Sequence, residues 1–150
     1  MVTAPCWESF KSMERFLGAH REWLARQLSR VQSMPQLVPS GNEEHYRKHR
    51  EQAVAFISES LERCNWHYGF AYKRVSVRNQ ATRWGSCSAH GNLNFSYKLL
   101  FLPQAFADYI IVHELCHLKE QNHSPAFWKL VERTIPDYRA IRRELKQHIT

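Results

Sequence analysis

Several features that mark special classes of protein are missing from this sequence. No stretch approaches the roughly 18 consecutive apolar residues that a membrane-crossing helix needs. The first residues, Met1 to Phe10, lack the basic start and apolar run of a secretory signal. The four cysteines are Cys6, Cys64, Cys87 and Cys116, and none forms a CxxC or another close metal-type pair. That argues against a zinc ribbon and against a disulfide framework, and it leads us to expect a cytoplasmic protein with reduced thiols. There is no internal repeat and no low-complexity segment. Methionine is scarce too, with none after Met34. Acidic residues are outnumbered: 14 Asp and Glu against 21 Lys and Arg leave a formal net charge of +7. In most proteins such a balance bears on solubility; here it also admits a polyanionic partner, either nucleic acid or a phosphate-bearing substrate.

What is present describes a globular chain. The 150 residues are 43% hydrophobic and 23% charged, with five Trp, six Tyr and eight Phe to supply packing area. That is the size of one domain, and we read 1–150 as a single one. Apolar residues at three- and four-residue steps predict N-terminal helices over 9–66, the first ending at Ser33-Met34-Pro35. The second starts near residue 43, where Ser40 and Glu43 have the spacing of a capping box. Its apolar stripe is Tyr46, Ala53, Phe56, Ile57, Leu61 and Cys64. The period then shortens. Val75 and Val77, and Leu93 and Phe95 alternating with Asn94 and Ser96, predict a small antiparallel sheet over 70–96 with turn residues His90-Gly91-Asn92. Pro103 suits the first turn of a helix over 103–120. Ser124-Pro125 opens another, and Pro136 a last one, giving C-terminal helices over 124–148. The fold class expected is α+β, mostly helical.

The 103–120 helix is apolar on nearly every face, so it is expected to be buried. It nevertheless carries His113-Glu114-Leu115-Cys116-His117. Residues i and i+4 share one helix face, so both imidazoles reach one zinc ion at about 2.0–2.1 Å. Glu114 is offset by about 100° around the axis, beside the metal rather than coordinating it, as a base for zinc-bound water must be. HExxH strings also arise by chance. Three ionisable groups on one buried helix are costly without a compensating partner, however, and a further histidine, His123, follows closely. The metzincin proteases use the same interval, with glycine where this chain has Glu120. Here Asn122 is expected to supply the left-handed turn. Lacking a later methionine, the chain has no Met-turn. Glu120, Glu132 and Glu144 compete with His123 as third ligand.

Taken together, Arg83-Trp84-Gly85-Ser86-Cys87, Pro103, Asp108 to His117, Asn122-His123-Ser124, Phe127-Trp128 and Pro136-Asp137-Tyr138 resemble the YgjP-like metallopeptidases. These are compact zincins related to the WLM and SprT-like proteases. The resemblance implies one zinc ion held by His113, His117 and His123, Glu114 as the catalytic glutamate, and a polypeptide substrate. Members of the family usually have a strand-rich segment before the first long helix, which this chain reaches early.

The remaining candidates are weaker in kind. Trp84 and Cys87 read as core residues and Gly85 as a bulge or a point of close approach. Arg83, on a strand beside the cleft, could hold a carboxylate or phosphate or a developing oxyanion. Tyr97, Tyr109 and Tyr138 are alternative oxyanion contacts. Cys116 is read as packing. On the last helix Arg139, Arg142, Arg143 and Lys146 form an outward basic face, ordinarily a solvated surface and alternatively a nucleic-acid patch. The expected function is a zinc-dependent hydrolase, first a metallopeptidase. The alternatives are a nucleotide phosphohydrolase, a basic DNA-associated protease of the WLM or SprT type, and a non-catalytic nucleic-acid-binding module. A structural zinc site would have no need of Glu114.

Overall fold

Residues 42–148 are described by the computed structural model; the expected helix over 9–32, the loop at 35–41 and the Ser40 cap lie outside them. The described residues fall within one unit, Gln36–Thr150. Helix α1, Glu43–Asn65, is capped by Asn42, whose side chain accepts from the His45 N–H at 2.8 Å. Asn42 thus does the work expected of Ser40, and Glu43 and Glu44 add negative charge at the positive end of the helix dipole. Its buried residues Ala53, Ile57, Ser60, Leu61 and Cys64 recur at three- and four-residue steps, as the sequence periodicity requires.

After α1 the chain turns at Gly69, where φ is +63°, and the Asn65 side chain closes the loop on both the N–H and the carbonyl of Phe70. Strands β1 (Arg74–Arg78), β2 (Gly85–Cys87) and β3 (Asn92–Ser96) follow in the order β1-β3-β2. The α+β class stands, but the sheet is mixed rather than antiparallel. β2 and β3 form the expected hairpin, turning at Gly91 with φ of +77°, whereas β1 runs parallel to β3. A parallel neighbour needs a crossover of about a dozen or more residues, and 79–91 supply it, with β2 inside the crossover. Leu93 and Phe95 are buried in the core while Asn92 and Asn94 between them are only half-buried, which pins the register.

A short 3₁₀ helix, Tyr97–Phe101, leads to helix α2, Gln104–Cys116. Pro103 occupies its cap position, its carbonyl accepting from Phe106 and Ala107. The helix is buried on nearly all sides, with Ile111, Val112, Leu115 and Cys116 fully enclosed. It ends four residues earlier than expected. Beyond Cys116 the amides of Leu118 and Lys119 reach back three residues to Leu115 and Cys116 in a tightened turn, and Gln121 Nε2 donates to the freed carbonyl of His117 at 2.6 Å. Nor does Asn122 adopt the expected left-handed conformation, because no described residue other than glycine has positive φ. Helix α3, Pro125–Thr134, opens on the Ser124 cap, whose hydroxyl accepts from Phe127. Helix α4, Tyr138–His148, starts just past Pro136. Leu61, Phe95, Leu99, Ile111, Leu115, Phe127 and Val131 meet in one core, and a two-pronged Arg63–Asp108 pair, 2.9 Å at each contact, ties α1 to α2. No described helix is long and apolar enough to cross a membrane.

Candidate metal centre

The last turn of α2 and the bend after it bring three imidazoles together. His113 and His117 lie one turn apart on the helix, with ring centroids 4.9 Å apart. His123 reaches back from the start of α3, its Nε2 2.9 Å from Nε2 of His113. One nitrogen from each of the three lies within 4.8 Å of the others. Glu120, Glu132 and Glu144 do not join them, and among the described residues this is the one such group of three metal-ligating side chains.

The donor set fits a metal. Three imidazoles facing one point disfavour a proton, but each can donate a nitrogen lone pair to one shared metal cation. Burial, followed by repulsion from His117 and His123, pushes His113 down to about 3, and burial also lowers His123. Neutral imidazole is the form that binds metal. His117 Nδ1 donates to the Glu120 carbonyl at 2.9 Å, which leaves Nε2 free to bind a metal. The tightened turn after Cys116 therefore has a role, since it presents that carbonyl. His113 has no such acceptor, as its Nδ1 is buried and unpaired among the described residues. Packing holds that ring instead, with Phe127 edge-on at 4.8 Å and Tyr109 at 5.9 Å.

Glu114 is only 7% exposed, and burial raises its carboxyl to about 7 against the opposing charge of Arg83. Strand β2 packs directly on it. A β-carbon built on Gly85 would stand 2.7 Å from Glu114 Cγ and 3.0 Å from Oε1. Gly85 is thus the close-approach position anticipated from sequence, and the group it approaches is the carboxylate. Arg83, on the segment entering β2, is exposed and near enough for its charge to act on Glu114.

Other candidates scatter. Tyr97 is fully buried, its hydroxyl 3.1 Å from His45 Nδ1, with its ring against Tyr46 and Phe101. Tyr109 lies beside His113 and within the field of Arg142 and Glu114. Tyr138 stacks on Trp128 at 5.1 Å. Cys116 is enclosed in the core, while Trp84 and Cys87 are half-buried against it. Arg139, Arg142, Arg143 and Lys146 are all exposed, yet Arg139 and Arg142 lie over Tyr138 and Trp128. Sequence reasoning did not connect Trp128 and Arg142 to the site. The available signal was the four-residue step from Tyr138 to Arg142, which puts both on one helix face.

Compared with known families, residues 37–148 match the YgjP-like metallopeptidase domain. The chain belongs to that family. Membership makes it a metallopeptidase and implies a bound metal ion. Among solved structures, the metallopeptidase zymogen abylysin of Pyrococcus abyssi is similar. The TM-score is 0.54 and the identity 26%, and the match covers 61% of this chain and 93% of that one. No curated protein matches. The YgjP-like match takes in α1 through α4, so every residue of the histidine cluster lies inside it.

Proposed function

We propose that this YgjP-like metallopeptidase hydrolyses peptide bonds with a single zinc ion held by His113, His117 and His123 and with Glu114 as general base. The observation that carries the reading is the convergence of three imidazole nitrogens beside a buried carboxylate. When bound, zinc acts as a Lewis acid toward a substrate carbonyl and acidifies water. The chain's own residues do the rest. The Glu114 carboxylate takes the proton of the attacking water and later delivers it to the leaving amine. Burial of that side chain makes it a stronger base than an exposed carboxylate. Arg83, across Glu114, supplies positive charge for an oxyanion or an anionic substrate group. Strand β2 lies at one edge of the described sheet beside α2, where an extended polypeptide can pair with its backbone.

The test incubates zinc-loaded protein separately with unfolded polypeptides and with nucleoside triphosphates. Cleavage of polypeptide is expected. Glu114→Gln should retain about one zinc per chain and lose on the order of 10²–10⁴-fold in rate, because an amide cannot accept the proton. His113→Ala and His117→Ala should lose the zinc, and His123→Ala should bind it weakly. Hydrolysis of triphosphate alone would replace the peptidase reading, and full activity in Glu114→Gln would remove the base from its role.

A further inference from the structure

Arg142 stands out among the charged residues around the histidine cluster. Its guanidinium carbon lies 4.8 Å from the centre of the Trp128 ring. That indole is itself tightly held. Tyr138 stacks on it at 5.1 Å, His123 stacks at 5.6 Å, and Phe127 meets it edge-on at 5.0 Å. The indole also lies 6.0 Å from the His113 ring. The cation is therefore fixed beside two of the three metal-facing histidines, and its charge acts on both.

The ordinary reading is surface packing, since an exposed cation over an aromatic face is a common and weak contact. Two observations go beyond it. A guanidinium presents a planar fork of five N–H donors, and resting over an indole gives none of them an oxygen acceptor. Among the described residues no carboxylate pairs with that fork. The ion pairs among the described residues are Arg47 with Glu43 and Arg63 with Asp108. Neighbouring Arg139 differs, donating from Nε to the Tyr138 hydroxyl at 3.2 Å with Glu132 close by. Arg142 thus offers, at the edge of the site, a fork with no carboxylate partner among the described residues, and a carboxylate is the group whose geometry matches it.

We propose that Arg142 is a specificity-determining residue that receives a substrate carboxylate, so that the enzyme prefers peptides with an acidic side chain or a free C-terminus near the scissile bond. This deepens the peptidase reading and rests on it. The carboxylate is received at the Arg142 fork, beside the Trp128 indole.

Binding tests the assignment separately from hydrolysis. Zinc-loaded Glu114→Gln protein is titrated with three pools of randomised, N-acetylated hexapeptides. One pool contains Asp and Glu and ends in an amide. A second contains Asn and Gln instead and ends in a free carboxylate. The third contains Asn and Gln and ends in an amide. One of the first two pools should bind about ten- to a hundredfold more tightly than the third, and which one does so identifies the source of the carboxylate. The advantage should vanish when Arg142→Gln is added and return in part with Arg142→Lys, which keeps the charge without the fork. Both changes are at an exposed position, so the melting temperature should stay within a few degrees. Equal binding of all pools, no binding of any, or an advantage that survives Arg142→Gln overturns the assignment, whether or not the unmodified enzyme cleaves peptides. Carboxylate-dependent binding without cleavage by the unmodified enzyme would leave Arg142 in place and put the error in the peptidase reading.

Discussion

At the scale of single residues, the contact between Gly85 and Glu114 is the most exacting feature of the site. A methyl group added at Gly85 meets the Cγ of Glu114 at 2.7 Å, closer than real side-chain carbons come. That atom sits in the middle of a buried side chain, so relief requires the carboxylate to move or β2 to shift. Gly85→Ala is therefore expected to cut hydrolysis by about 10²-fold or more, since displacing the base we propose by about an ångström has that effect. Zinc content should stay at one per chain, because the nearest neighbours of the added carbon are all atoms of Glu114. Metal analysis and turnover on the same preparation would separate the two effects. Loss of zinc in that variant would mean that β2 holds the histidines and not the base. The need for a small residue at position 85 was visible in the Arg83 to Cys87 string. The identity of the group pressed against it was not, because Gly85 and Glu114 are distant in sequence and meet only when β2 packs on α2.

At the scale of elements, the junction between α2 and α3 decides whether the third histidine reaches the others. α2 stops at Cys116, the His117 ring is anchored on the Glu120 carbonyl, and α3 begins at a Ser124-Pro125 cap immediately after His123. Losing the Ser124 hydroxyl removes the acceptor for the Phe127 N–H, which costs about 1 kcal/mol of stability. Ser124→Ala should also weaken zinc affinity several-fold, because the cap sets where His123 leaves the bend. Competition with a chromophoric chelator would measure that affinity alongside a denaturant titration. A loss of stability with unchanged zinc affinity would show that His123 is positioned by its stacking on Trp128 alone. The start of α3 was legible, since serine before proline is a local signal. The early end of α2 was not. It depends on side-chain bonds from His117 and Gln121 to backbone carbonyls, and such bonds leave no periodicity to read.

At the scale of the whole molecule, the buried site sets an acid response for the metal-free protein that can be worked out from two groups. His113 is pushed from 6.5 down to about 3 by burial and by the neighbouring imidazoles. Between those values the unfolded chain binds a proton that the native protein does not, so stability is lost as pH falls through that window. Glu114 is raised from 4.5 to about 7 by burial, with Arg83 opposing. Between those values the native protein holds a proton that the unfolded chain has released. Its contribution is therefore complete below 4.5 and is lost as pH rises toward 7. From about 4.5 to 6.5 the two slopes have opposite sign and offset one another, so the melting temperature of chelated protein should be nearly level there and drop between 4.5 and 3. In Glu114→Gln the offset disappears, and the decline on acidification should begin near 6.5. Thermal melts of both proteins in chelator across this range check it. The same early decline in both would mean that Glu114 is not held protonated by burial.

The sequence by itself determined the family and most of the elements. The HExxH spacing puts two imidazoles on one helix face, an apolar helix around them requires burial, and the cap at Ser124 and the turn at Gly91 follow from local backbone preference. Those are short-range constraints, and short-range patterns encode them. Tertiary structure alone decided what depends on long-range packing. β1 runs parallel to β3 because the chain crosses over through β2, and alternation of apolar residues looks the same in either direction. Arg142 was legible only as one of four basic residues on an outward face. Whether such a residue faces open solvent or leans over an indole beside the histidines is settled by how α4 packs on α3, which brings Trp128 beneath it.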